Sequence, residues 1–330
     1  MPSHHHNHMK AVVIREPGGP EVLKVESIPI PVPGRHQVLI KVKAFGLNRS
    51  EMYTRQGYSP SVKFPRVLGI EAVGIVEQCP SGRFEKGDQV ATCMGGMGRD
   101  FDGGYAQYTC VHIDQVQVFE SSLDWAILGA LPEMLQTAWG SLFSALKLRH
   151  DDTLLIRGGT SSVGLAAAAL ARNHGAYVAA TTRSNSERSH ALLRRAGVEK
   201  IIIDDGNVAA QIKDELFTKV LELVGTITLK DSLKCAADSG VVCMAGILGN
   251  EWELNGFNPM EAIPNGVSLT KYSGSPETFM RMPLHDMIKQ VQHGQLPLQL
   301  GQTFRMDDIA QAHETMEKNL AYGKIVVLTE

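Results

Sequence analysis

A chain of 330 residues exceeds the roughly 250–300 residues at which a single hydrophobic core stops growing, so two domains are expected. With 43% apolar and 20% charged residues its composition is that of an ordinary globular protein, which sets disordered and fibrous classes aside. Its 32 basic and 35 acidic residues give a net charge of −3 with no basic run, so no nucleic-acid partner is expected.

The chain opens on Met1-Pro-Ser-His-His-His-Asn-His8, which reads as an added affinity tag, a metal-binding role being the lesser alternative. From Met9 to about Leu123 short β-rich runs (Ala11–Ile14, Gln37–Ala44, Ala72–Glu77, Gln89–Cys93, Ala106–Val111) alternate with Gly/Pro turns, the pattern of a small barrel. After Asp124 apolar strands alternate with helices, which signals βαβ units and a parallel sheet. Strands are expected at Thr153–Arg157, Tyr177–Thr181, Lys200–Ile203, Lys219–Leu223, Gly240–Ala245 and Val267–Thr270, with helices at Ser162–His174, Ser186–Ala196, Val208–Glu215 and Ile227–Ala237. Six strands in this rhythm match a doubly wound dinucleotide-binding fold over residues 124–270. Helices at Glu277–His293 and Asp307–Asn319 and a strand at Lys324–Leu328 follow, and residues 271–330 are expected to complete the first domain, 9–123. The longest apolar stretch, Leu165–Ala171, is too short to span a bilayer, and no signal-peptide pattern is visible. Five scattered cysteines (Cys79, Cys93, Cys110, Cys235, Cys243) without a C-x-x-C pair read as reduced thiols, so a soluble cytoplasmic protein with no membrane partner is expected.

The chemistry concentrates where the strand Thr153–Arg157 runs into Gly158-Gly159-Thr160-Ser161-Ser162-Val163-Gly164 and then an Ala-rich helix. Small residues let the backbone approach a pyrophosphate, and free N–H groups at the positive end of the helix dipole stabilise its charge. Ser161 replaces the usual middle glycine, and a ligand-free tight turn is the alternative. At the end of the second strand, where NAD-binding proteins place an acid for the ribose 2′-hydroxyl, the sequence reads Thr182-Arg183-Ser184, with Arg188 close behind. A cationic fork and hydroxyls suit a 2′-phosphate and favour NADPH; a solvated loop arginine is the plainer alternative. Val224-Gly225 and Ala245-Gly246-Ile247 follow the fourth and fifth strands, at the strand ends where such sheets bind ligands, and are expected to line the cofactor.

Taken together, the chain resembles the medium-chain dehydrogenase/reductase superfamily and, within it, the zinc-independent quinone oxidoreductases. The likeness covers Met9 to Glu330 and is carried by Arg15-Glu-Pro-Gly-Gly-Pro-Glu-Val-Leu23, Gly46-Leu-Asn-Arg-Ser-Glu-Met-Tyr-Thr-Arg-Gln-Gly57, Leu68-Gly-Ile-Glu-Ala-Val-Gly74, Gly87-Asp-Gln-Val90, Thr137-Ala-Trp139 and Gly323-Lys-Ile-Val-Val327. It departs from that subfamily at Ser161 and Ser162, where two adjacent glycines are usual, and at Ala169, where a glutamine is. The resemblance implies an α/β protein in which a GroES-like β-barrel domain joins a Rossmann doubly wound parallel sheet. Where zinc-dependent relatives hold the metal by Cys, His and Cys, this chain carries Asn48, Ile70 and about Glu133, so no metal is expected. Glu71 and Glu133 without His or Cys make a poor zinc site.

The resemblance further carries over Asn48 and Tyr53 as the polar residues of the catalytic pocket, Asn48 donating through its amide and Tyr53 through its phenol. Asn48 as a turn cap and Tyr53 as an apolar wall are the alternatives. Thr137 resembles the threonine beside the nicotinamide, and Asn319 and Lys324 resemble residues that reach back toward the cofactor; an ordinary helix threonine and surface roles compete with these readings. Without a Lewis acid the reaction must rely on proximity and hydrogen bonds, which suits an easily reduced acceptor. The implied activity is NADPH-dependent hydride transfer to a quinone. Reduction of the C=C bond of an enal or enone, and a non-catalytic NADPH-binding sensor, stay open beside it. The sixth sheet strand, unprotected at its edge, suggests a homodimer.

Overall fold

The computed structural model describes residues 7–330, so residues 1–6 of the histidine-rich opening lie outside the described residues, while His8, the last residue of the tag reading, opens the first strand. The chain divides into two compact units, one built from residues up to Glu133 with Ser275–Gln292 and Leu300–Glu330, the other from Met134–Gly274 with His293–Gln299. The first stretch supplies β1 (His8–Ile14), β2 (Lys24–Pro29), β3 (Gln37–Gly46), α1 (Arg49–Arg55), β4 (Arg66–Val67), β5 (Glu71–Gln78), β6 (Gln89–Cys93), β7 (Tyr108–His112), β8 (Val116–Phe119) and α2 (Trp125–Leu128). The strand expected at Ala106–Val111 moves to β7 because Ala106 bridges Ala11, while Tyr105 and Gln107 bond to β1.

The middle of the chain supplies α3 (Pro132–Trp139), a π-helical turn at Gly140–Ala145, β9 (Thr153–Arg157), α4 (Ser162–His174), β10 (Tyr177–Thr182), α5 (Glu187–Arg195), β11 (Lys200–Ile203), α6 (Val208–Ile212), β12 (Phe217–Glu222), α7 (Thr226–Lys234), β13 (Ala236–Met244), α8 (Pro259–Ala262) and β14 (Ser268–Lys271). α6 stops short of the expected Glu215 because Lys213 turns into positive φ (54°). The last stretch gives α9 (Pro276–Arg281), α10 (Leu284–Gln292), β15 (Leu300–Arg305), α11 (Ile309–Glu317) and β16 (Lys324–Leu328). The single helix expected at Glu277–His293 breaks at Met282, which Pro283 pushes into extended backbone (ψ 132°).

In the first unit β2-β1-β4 form an antiparallel sheet, and β15-β16-β3-β5-β6-β8 a larger one with β7 also paired to β3. β16 lies antiparallel to β3, Val326 opposite Gly46, and so brings the chain's last strand beside one of its first. Alternate residues of β3 and β5, with Leu68 and Tyr105, fill the core.

In the second unit all six strands are parallel in the order β11-β10-β9-β12-β13-β14. Strand order reverses beside β9, and at such a switch point the loops leaving β9 and β12 run in opposite directions and open a crevice at the carboxyl ends of the strands. α4 packs a nearly continuous buried face, Gly164–Ala171, and ends where Gly175 adopts a left-handed conformation (φ 100°).

Candidate active site

The crevice between β9 and β12 opens on the turn that holds Gly158, Gly159, Ser161, Ser162, Val163 and Gly164. Ser161 is the N-cap of α4: its Oγ accepts from the Gly164 amide at 3.0 Å and donates to Gly158 O at 3.1 Å. This explains the serine in place of a glycine. The side chain fastens the turn from within, while the Ser162 and Val163 amides, in the helix's first turn, have no intrahelical carbonyl to bond. A methyl group at Gly164 would lie 2.7 Å from Gly158 O and 2.8 Å from Gly159 O, so only glycine lets helix and turn meet there. Close backbone, an N-terminal helix dipole and available amides fit the pyrophosphate of a dinucleotide.

A buried charge cluster anchors the same crevice from below. Arg157, the last residue of β9 and fully buried, pairs with Asp204 (2.9 Å, Nη2 to Oδ1) and Asp231 (2.8 Å). Burial alone would lower its pKa, but the two aspartates and Glu222 raise it. Glu222, the last residue of β12, accepts from the Val224 amide at 2.8 Å and the Gly225 amide at 3.0 Å, and bonds to Thr228 and Ser232. Ala245 and Gly246 donate to the Glu222 carbonyl, which draws Ala245-Gly246-Ile247 alongside Val224. Thus the structure brings the expected lining residues Val224, Ala245, Gly246 and Ile247 to one row of strand ends. Sequence reasoning did not single out Arg157, Asp204, Glu222 or Asp231, because charges at the ends of two strands, after a third and on a helix acquire meaning only when the fold places them together.

Arg183 and Ser184 follow β10 in an exposed loop, and Ser186 caps α5, whose first turn carries Arg188. Thr137 sits in α3 within hydrogen-bond range of Gln136 Nε2 (3.4 Å). Asn319 belongs to the first unit, exposed, with left-handed backbone (φ 56°) just past α11 and its side-chain oxygen bonded to Arg49. These features make it a helix terminator.

In the first unit Asn48 is the N-cap of α1 by position, yet its side chain makes no capping bond. Its Nδ2 donates to Glu51 Oε1 (2.7 Å) and Glu71 Oε1 (3.1 Å), and its Oδ1 accepts from Lys324 Nζ at 2.6 Å. The turn-cap alternative for Asn48 is not what the structure shows; Glu51 and Glu71 engage both of its amide hydrogens. Lys324 also pairs with Glu71 at 2.8 Å, and Glu71 Oε2 accepts from the Glu133 amide at 2.7 Å. Gly46 is required here, since a methyl group would collide with Glu71 Oε1 and Lys324 Cε. Burial works against the Lys324 ammonium, but Glu71, Glu133 and Glu51 outweigh it and raise its pKa. Lys324 is therefore no surface residue but a buried cation in this cluster. Glu51, which sequence reasoning missed, is enclosed by protein, and its carboxyl is pushed up to about 8, Glu71 adding to the rise. Tyr53, half-buried on α1, packs against the barrel core.

Residues 34–120 match the family described as Alcohol dehydrogenase GroES-like domain, and residues 196–327 the family described as Zinc-binding dehydrogenase. A quinone oxidoreductase of Rattus norvegicus is 30% identical over 97% of this chain and 98% of its own. An acryloyl-coenzyme A reductase of Sulfurisphaera tokodaii is 25% identical over 97% of this chain and 99% of its own. Among solved structures, the quinone oxidoreductase from Coxiella burnetii superposes with a TM-score of 0.83 at 25% identity, over 98% of this chain and 100% of that one.

Proposed function

Because the chain belongs to the quinone oxidoreductase family of the medium-chain dehydrogenases/reductases, we propose that it is an NADPH-dependent oxidoreductase that passes hydride to a quinone without zinc. The observation that carries this reading is the capped glycine turn at the switch point, Gly158–Gly164, shaped for a pyrophosphate. The cofactor, when bound, supplies the hydride. The chain's own residues then do the rest: the turn amides hold the pyrophosphate, while Val224 and Ala245–Ile247 line the crevice. Arg183, Ser184 and Arg188 meet the 2′-phosphate, and Thr137 and Asn319 are the further candidate contacts.

The metal-free half of the proposal rests on side-chain chemistry. Asn48 and Ile70 offer neither thiolate nor imidazole, and Asn48 is already bonded on both ends. A positive charge is nonetheless built into that place, as the ammonium of Lys324. Tyr53 is the candidate phenol beside the acceptor, and Asn48 acts as a fixed orienting amide. Such a site polarises an oxygen less strongly than zinc does, which favours acceptors that take hydride readily.

Absorbance loss of NADPH in the presence of benzoquinone, naphthoquinone and a panel of enals and enones tests this reading. Turnover of the quinones is expected. Preference for the enals would instead favour reduction of an activated C=C bond, the reading that the likeness to an acryloyl-coenzyme A reductase supports. Tight NADPH binding with no turnover of any acceptor would make the chain a binding protein. The proposal extends to a homodimer formed through the β14 edge and, from its five free thiols, to the reducing cytoplasm.

A further inference from the structure

Two hydroxyl groups hold Gly158 from opposite sides. Its amide donates to Thr181 Oγ1 at 3.0 Å, and its carbonyl accepts from Ser161 Oγ at 3.1 Å. Next to it the Gly159 amide donates to the Thr181 carbonyl at 2.9 Å. Thr181 therefore engages both leading glycines of the turn, one through its side chain and one through its backbone. The sheet register puts it there: β9 and β10 pair as far as Ile156 opposite Ala180, so the next residue of β10 stands level with the chain leaving β9. On its other side Thr181 lies opposite Ile202 of β11. The clamp is thus buried and stands on a strand paired along both edges.

These bonds divide the amides of the turn by task. Those of Gly158 and Gly159 point to β10, and that of Gly164 points back to Ser161 Oγ. The amides of Ser162 and Val163, at positions where a helix offers no acceptor, are the donors left for an anion. Their direction depends on how the chain leaves Gly158, whose φ of 88° lies in the left-handed region. Glycine reaches that region easily and leaves it as easily, so something outside the residue must hold it there. A loop that has to be ordered on binding weakens affinity, whereas one fixed beforehand does not.

We propose that Thr181 is a positioning residue for the cofactor: its hydroxyl locks the Gly158 amide and so keeps the Ser162 and Val163 amides aimed at the pyrophosphate. The inference deepens the dinucleotide reading of this turn and rests on it. Ser161 completes the lock from the helix side by holding the Gly158 carbonyl.

Residue-resolved amide hydrogen exchange on the intact wild-type protein, with and without NADPH, reads this division directly. NADPH should slow exchange at Ser162 and Val163 and leave Gly158 and Gly159, already bonded to Thr181, as they were. Thr181→Val keeps the shape of the side chain and removes the acceptor. It should raise the dissociation constants of NADPH and NADH by about tenfold each in a fluorescence titration, since both carry the pyrophosphate, and speed exchange at Gly158. Thr181→Ser keeps the acceptor and should restore most of the affinity. The exchange measurement on the wild type needs no variant and decides alone if Thr181→Val does not fold.

A lower melting temperature in Thr181→Val with unchanged dissociation constants overturns the proposal, because Thr181 would then be a structural support only. So does slowing by NADPH at Gly158 in place of Ser162 and Val163. A wild-type protein that binds neither NADPH nor NADH overturns the dinucleotide reading instead, and the two failures are thereby told apart.

Discussion

Glu51 and His313, both buried in the first unit, respond to pH in opposite directions. The folded-state pKa of Glu51, raised from 4.5 to about 8, means the folded chain holds a proton that the unfolded chain releases between those values. Stability from this group is therefore complete below about pH 4.5 and lost as pH rises through 8. His313 runs the other way. Lowered from 6.5 to about 3, it contributes stability above pH 6.5 that is lost as pH falls toward 3. Glu51→Gln should match the wild type in urea near pH 5 and exceed it at pH 9, by on the order of 2–4 kcal/mol. An equal gap at both pH values would mean that Glu51 ionises as an ordinary carboxylate. On the other unit, Arg183→Ala should raise the NADPH dissociation constant about 10- to 100-fold, the loss of one charge-assisted hydrogen bond, and leave that for NADH nearly unchanged in a fluorescence titration. Equal losses would remove Arg183 from the 2′-phosphate.

At the scale of elements, the β9–turn–α4 unit was legible because its signals are local: a strand of apolar residues, glycines, a capping serine and an alanine run within about twenty positions. The serine's reason was not legible. Only the helix geometry shows Ser161 Oγ reaching the Gly164 amide. Ser161→Ala should cost about 1 kcal/mol by losing the cap, whereas Ser161→Gly, which restores the usual glycine, should cost only a few tenths. Thermal unfolding with and without NADPH measures both, and equal losses would deny the serine its capping role. Elements whose cause is tertiary were missed or misplaced. β2 (Lys24–Pro29) is mixed in charge and ends in proline, so it forms only because β1 offers it a partner from Val13 back to His8. α1 was not foreseen, although it carries Glu51, Tyr53 and Arg55, because its polar and apolar residues serve a buried cluster rather than a simple amphipathic face.

For the molecule as a whole, the parallel sheet ends on β14, four residues long, with Leu269 exposed and no partner strand beyond it among the described residues. The proposed homodimer would cover that edge. Light scattering should give twice the chain mass, and Leu269→Lys should shift the balance toward the monomer; a wild-type monomer at micromolar concentration would remove the suggestion. The sequence by itself determined what depends on neighbours along the chain. Hydrophobic periodicity set the change from barrel-like strands to βαβ units, glycine and serine set the dinucleotide turn, and the absence of Cys and His at three motif positions set the expectation of a metal-free site. Tertiary structure alone decided what depends on residues hundreds of positions apart. Lys324 meets Glu71 and Asn48 only because β16 returns to β3, and His313 meets Arg55 and Tyr105 only because α11 packs into the same unit. A buried charge has no local signature: its meaning lies in the partner that offsets its desolvation, and that partner is supplied by the fold.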